Sequence, residues 1–211
     1  MTLRLQRIGD QHTRDHYHLT AEDECYFFGE LTRGQDYTSP TKSLISNLKK
    51  KRGAAGYQYK APAIQQAGNM FRSAIAATAW DTLTFVPVPP SRCHGDPAYD
   101  DRMVRVLQQM AQGVNADFRE LVLQTASYQA SHESGDDRIK LDDLIALYAI
   151  NEARAAPEPT SILVVDDVLT SGCHYRAVKA VLLERFPRAR IRGLFIARRA
   201  FPDAADDFAA L

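Results

Sequence analysis

SILVVDDVLTSGCHY, residues 161–175, is the stretch on which the fold turns. Ile162, Leu163, Val164 and Val165 form an apolar run, mostly β-branched, which suits a strand covered on both faces. Asp166 and Asp167 fall where such a strand would leave its sheet, and Thr170, Ser171 and Gly172 fill the turn behind them. Residues 175–186 then read as a helix, with Ala177, Val178, Val181 and Leu182 at the spacing of one buried stripe. A small-residue turn that opens a helix presents unpaired N–H groups and hydroxyls, a ready anion site. Two carboxylates beside such a cradle suit a ligand with both a phosphate and vicinal hydroxyls, the acids accepting hydrogen bonds from the sugar.

Outward from this stretch, apolar runs alternate with amphipathic ones. Residues 83–88, LTFVPV, read as a strand that runs into Pro89-Pro90-Ser91-Arg92, a rigid turn at a strand's carboxyl end, where ligands of α/β proteins bind. Residues 118–123 and 191–197 read as further strands. Residues 61–80 carry Ile64, Ala67, Met70, Phe71, Ala74, Ile75 and Thr78 at helical spacing, with Pro62 in the first turn. Residues 99–113 form another helix with Val104, Leu107, Met110 and Ala111 on its buried side; Arg102 and Arg105 near its start are either substrate contacts or solvated charges. This alternation calls for a parallel sheet with helices on both faces. ECYFFGEL at 24–31 is β-prone, and with RGQDYTSP behind it reads as a hairpin or short strand outside the main sheet. His12, His16 and His18 lack a further residue to complete a metal set, so residues 1–20 read as a solvated lead-in or hood. TKSLISNLKKKR at 41–52 is a helix ending in four cations, open between a solvated helix end and a contact for a partner or nucleic acid.

VVDDVLTSG at 164–172 resembles the phosphoribosyl-diphosphate (PRPP) loop of the type I phosphoribosyltransferases. FVPVPPSR at 85–92 resembles the pyrophosphate loop of their ComF-like branch, and its order before the PRPP-like loop strengthens both. The resemblance spans about residues 26–199 and implies an α/β, parallel-sheet type I phosphoribosyltransferase fold with a small N-terminal hood. Residues 1–60 would be hood and lead-in, 61–200 the core and 201–211 a tail. By the same resemblance Asp166 and Asp167 hold the ribose hydroxyls, and Thr170, Ser171, Gly172, Cys173 and His174 take the 5′-phosphate. Pro90, Ser91 and Arg92 receive the diphosphate. Gln129 and Arg138 belong to a loop that folds over it, with Lys140 as a second cation. Tyr26, Phe27 and Phe28 in the hood meet the acceptor. Mg²⁺ is expected through the diphosphate and ribose hydroxyls of PRPP, and a homodimer is common in the family.

The implied activity transfers a 5-phosphoribosyl group to a nitrogen nucleophile and releases pyrophosphate. A PRPP-sensing regulator and a ComF-like accessory protein in DNA uptake or processing stay open beside it. Three departures stand out. The Cys-rich zinc module of many ComF-like proteins is absent, CHGDPAYDDR at 93–102 replaces their arginine-rich segment, and His174 stands where a hydroxyl residue ends the cradle.

Composition narrows the setting. A chain of 211 residues can bury a full core as one domain. Its 26 Lys and Arg balance 26 Asp and Glu, which gives no support for a general nucleic-acid or membrane binder. No apolar run approaches the ~20 residues that cross a bilayer, and MTLRLQRIGDQHTRDHYH lacks the apolar core of a signal peptide. Cys25, Cys93 and Cys173 are odd in number and far apart, which fits a reducing compartment without disulfides. The expectation is a cytoplasmic protein.

Overall fold

The computed structural model describes residues 3–32, 34, 38–128 and 139–201. Its strands in chain order are β1 (Gln6–Arg7), β2 (Glu24–Leu31), β3 (Thr84–Pro87), β4 (Asp117–Phe118), β5 (Val122–Gln124), β6 (Tyr148–Ile150), β7 (Ser161–Leu169) and β8 (Arg190–Arg199). The helices are α1 (Pro40–Leu48), α2 (Lys60–Ala74), α3 (Arg102–Met110), α4 (Leu141–Ala146) and α5 (Cys173–Arg185). Six strands form one sheet in the order β1-β2-β8-β7-β3-β4, all parallel except β1 against β2. The fold is therefore α/β with a mostly parallel central sheet. β5 and β6 pair antiparallel beside it.

Both faces of the sheet are covered. Val178 and Leu182 of α5, Leu144 of α4 and Tyr148 of β6 join Phe27, Val164 and Phe195 in one core cluster. Leu44 and Leu48 of α1, Phe71 of α2 and Leu107 of α3 join Phe28, Val165 and Ile196 in the other. The continuous apolar run of β7 follows from this double covering, since alternate residues of a strand point to opposite faces.

Chain direction creates a crevice. β3 is followed by β4 on one side of the sheet, and β7 by β8 on the other, so β3 and β7 flank the switch point. Their lengths differ there. β3 follows β7 only to the pair Pro87↔Val165, with one further bond from the Val88 N–H to the Val165 carbonyl (2.9 Å), while β7 stays on β8 to Leu169↔Arg198. Pro89 and Pro90 have no N–H to donate, so the β3 ladder stops. Residues 166–169 of β7 thus run past the end of β3.

Several expectations need correction. Residues 24–31 lie inside the main sheet, parallel to β8 with Phe27 opposite Phe195. Phe27 and Phe28 are buried in opposite core layers, because their apolar alternation matches a strand covered on both faces. The strand expected to end at residue 165 continues through both aspartates to Leu169. The strand expected over 118–123 breaks in two: the Arg119 N–H still reaches the Phe85 carbonyl (2.9 Å), and then the chain leaves to pair β5 with β6. The helix expected to reach residue 80 ends at Ala74, and Ile75 is extended. Trp80 instead packs its ring on Phe85, 5.6 Å between centroids, in the turn into β3. No helix among the described residues is long and apolar enough to cross a membrane.

The α2–α3 crossing depends on one missing side chain. A Cβ at Gly68 would come within 2.6 Å and 2.8 Å of the Gln109 side chain and 3.0 Å of the Met110 backbone nitrogen. Gly to Ala in a helix ordinarily gains about 1 kcal/mol. Here the overlap should outweigh that gain and Gly68→Ala should lose roughly 1–2 kcal/mol, within the range for overpacked cores. Urea denaturation of the variant against the parent chain checks the sign.

Candidate functional site

The crevice between the ends of β3 and β7 opens into a cavity of about 480 Å³. Pro90, Ser91 and Arg92 line it from the β3 side, and Asp166, Asp167, Thr170, Ser171, Cys173 and His174 from the β7 side. Two sequence stretches far apart in the chain thus meet at one place. Gly172 carries φ +90° as the residue before α5, a backbone that L side chains rarely adopt, and a Cβ there would also meet Leu19 at 2.9 Å. α5 begins at Cys173, so the unpaired N–H groups of its first turn open beside Thr170 and Ser171.

The two acids have opposite environments, and strand alternation is the reason. Asp167 shares its face with the layer of α1 to α3. Its Oδ2 accepts from Nε of Arg102 at 2.9 Å and lies 2.9 Å from Nη2 of the same guanidinium and 3.5 Å from Nζ of Lys49. Arg102 is shared with Asp100 (2.6 Å), and Asp100 in turn pairs with the buried Lys60 (2.9 Å). Burial works against the Asp167 charge, yet Arg102 and Lys49 overcome it and hold the carboxyl below its ordinary range. Asp166 forms no ion pair among the described residues and feels Arg102 and Lys49 only at longer range. Burial, and then the charge of Asp167 beside it, push its carboxyl well above the ordinary range, although its Oδ1 accepts from the Asp167 N–H at 2.7 Å. One site therefore holds a carboxylate locked in ion pairs and a neighbour that takes up a proton readily.

On the other face, His174 stands between two tyrosines. Its Nδ1 lies 3.1 Å from the Tyr148 hydroxyl and its Nε2 3.4 Å from that of Tyr128. In the neutral imidazole one nitrogen donates and the other accepts, so both hydroxyls can be satisfied. Tyr128 also donates its backbone N–H to the Ser91 carbonyl (3.0 Å), which ties the β3 loop to the start of α5.

The lead-in segment closes the turn from outside. His16 is fully buried and donates from Nδ1 to the Thr170 carbonyl, and the His18 N–H donates to the Ser171 carbonyl (3.0 Å). The expectation of a solvated lead-in fails at His16, whose ring is fully buried and bonded to this turn. Among the described residues no cluster of His, Cys, Asp or Glu is set to hold a metal ion.

Of the sequence candidates, the 5′-phosphate and pyrophosphate groups converge with the two acids. Tyr26, Phe27 and Phe28 do not line the cavity, since β2 places them along the sheet. Lys140 is exposed and does not line the cavity, although its neighbour Ile139 does. Gln129 and Arg138 lie outside the described residues. The structure adds residues that the sequence left undecided. Arg102 reaches Asp167 while Arg105 stays near Asp101 (4.0 Å). Lys49 and Lys51 line the cavity, so part of the 49–52 run faces the site. Only the position of these cations after α1 and at the start of α3 could have signalled this. No protein-family model and no curated protein matches the chain.

Asp166 gives a pH test. Its carboxyl is raised by folding, so between about pH 4 and its raised value the folded chain holds a proton that the unfolded chain has lost. Stability contributed by that proton is lost as pH rises through the raised value. Asp166→Asn cannot ionise and should therefore gain on the parent as pH rises from about 4 to about 7, read from urea midpoints. A gap that does not change with pH means that Asp166 titrates as an ordinary carboxyl.

Proposed function

We propose that this protein is a PRPP-binding phosphoribosyltransferase of the type I kind, with a ComF-like pyrophosphate loop. The observation that carries the reading is the meeting of Pro90–Arg92 with Asp166–His174 on one cavity at the switch point of a parallel sheet. The N–H groups that open α5, with Thr170 and Ser171, receive the 5′-phosphate. Asp166 accepts from the ribose hydroxyls when ionised, and Asp167 keeps Arg102 and Lys49 directed at the same space. Ser91 and Arg92 take the diphosphate.

In the reaction the nitrogen lone pair forms a bond to the anomeric carbon while the bond from that carbon to the diphosphate oxygen breaks. The electron pair leaves with the diphosphate, and the proton of the acceptor nitrogen passes to water. Positive charge on the ribose ring faces the two acids, and negative charge on the leaving group faces Arg92, Lys49 and Lys51, so charge separation is favoured in place. The donors suit Mg²⁺, which takes one or two carboxylates together with substrate phosphates. The Asp166 carboxylate would hold it alongside the diphosphate, and bound there it supplies charge to the leaving group.

A second reading is supported by the ion pairs on Asp167. A carboxylate held by Arg102 and Lys49 is less available to a sugar, which suits a PRPP sensor without turnover. Calorimetry with PRPP and Mg²⁺, followed by pyrophosphate release across a panel of nitrogen acceptors, separates the two. Binding with release for at least one acceptor is expected, whereas binding without release for all of them favours the sensor. Asp166→Asn, which keeps the Arg102–Asp167 pair, should weaken PRPP by about tenfold or more, the worth of a charge-assisted hydrogen bond at roughly 1.5–3 kcal/mol. Unchanged affinity in the folded variant overturns the role given to Asp166.

A further inference from the structure

One flank of the cavity carries groups that the phosphate and sugar subsites leave unused. Arg199, the last residue of β8, lines the cavity, and its Nε is buried without a hydrogen-bond partner among the described residues. Its neighbour Arg198 shows the contrast: Asp15 (2.8 Å) and Glu30 (2.6 Å) hold that guanidinium. Arg199 instead lies over the ring of Phe201, 5.4 Å from its centroid, and Phe201 is 49% exposed. Tyr17, 63% exposed, and His18 line the same cavity with their rings 4.7 Å apart. The flank is anchored to the phosphate turn, since the His18 N–H donates to Ser171, and to the lead-in, since the Phe201 N–H donates to Asp15 Oδ2 (3.4 Å).

Its chemistry is specific. A half-buried guanidinium that no acid among the described residues neutralises is matched by a carboxylate, which accepts two parallel N–H bonds from its open edge. Exposed rings beside it offer flat apolar surface on which a flat ring stacks. Topology gives the position. Arg199 ends β8, on the far side of β7 from the β3 loop that takes the diphosphate. In a displacement at the anomeric carbon the nucleophile enters opposite the leaving group, and so from the β8 side.

We propose that Arg199 and Phe201, with the Tyr17–His18 pair, form the acceptor subsite, and that the acceptor is a planar aromatic ring bearing a carboxylate. The assignment rests on the phosphoribosyl-transfer reading and moves acceptor choice from the β2 aromatics to the carboxyl end of β8.

Matched pairs test it: pyridine-3-carboxylate against pyridine-3-carboxamide, and uracil-6-carboxylate against uracil. Each is titrated by calorimetry into the full chain, with and without PRPP. The acid of at least one pair should bind about tenfold tighter than its neutral partner, as an added bidentate ion pair predicts. Arg199→Gln should abolish that preference, Arg199→Lys should retain part of it, and Phe201→Ala should weaken both members of the pair. Thermal melting shows that each variant is folded. Equal binding of acid and neutral partner, binding of none of the four, or a preference that survives Arg199→Gln overturns the assignment. PRPP titrated alone is read separately. Its failure to bind overturns the transfer reading, whereas the acid preference measured without PRPP still decides the subsite.

Discussion

Two prolines decide where this molecule has its cavity. Parallel strands need an N–H at every second residue to keep their ladder, and Pro89 and Pro90 supply none. β3 therefore lets go of β7 just before Asp166, while β8 holds β7 on its other edge as far as Leu169. The overhang that results carries both acids and leads into the turn before α5. Had β3 continued, the groups lining the crevice would have been covered by backbone pairing. The switch of chain direction at the same two strands keeps crossing connections out of the gap.

The overhang also accounts for the difference between the acids. Adjacent residues of a strand face opposite layers, and the two layers differ in what they bring. Helices α1 and α3 bring Lys49 and Arg102 to Asp167, whereas the β5–β6 side brings the hydroxyls of Tyr128 and Tyr148 near Asp166. A buried charge is tolerated when it is paired and is costly when it is not. Asp167 remains ionised, and Asp166 is driven toward its protonated form. Five charged side chains, from Lys49 through Asp167, Arg102 and Asp100 to Lys60, hold α1, α2 and α3 to the end of β7.

The N-terminal segment contributes rigidity to the opposite side of the turn. Asp23, with no exposed side-chain surface, joins the segment to α5 through Lys179 (2.6 Å) and Arg176 (3.0 Å). His16 and His18 then cap the carbonyls of Thr170 and Ser171, two residues that line the cavity. For the proposed anion cradle such fixed geometry matters, because reorganising backbone dipoles on binding would consume the favourable electrostatics.

Much of this was legible in the chain itself, for local reasons. The apolar run at 162–165, the acids behind it, the small-residue turn and the stripe of α5 are neighbours in sequence, so strand, turn and helix follow from periodicity and turn chemistry. The rigid end of β3 is equally local. The partners of the acids are not. Arg102 and Lys49 read as ordinary helix-end charges until α1 and α3 pack on one face of the sheet. Tyr26, Phe27 and Phe28 read as a separate hood because short-range pattern cannot tell an added strand from a central one. His16 read as solvated because its acceptor, the Thr170 carbonyl, is more than a hundred residues away in sequence. Sequence by itself determined the β7–α5 unit and the small-residue turn within it, since their forces act within a few residues. Tertiary structure decided which charges neutralise Asp167, which aromatics are core and which face the cavity, since burial and long-range pairing exist only once the layers close.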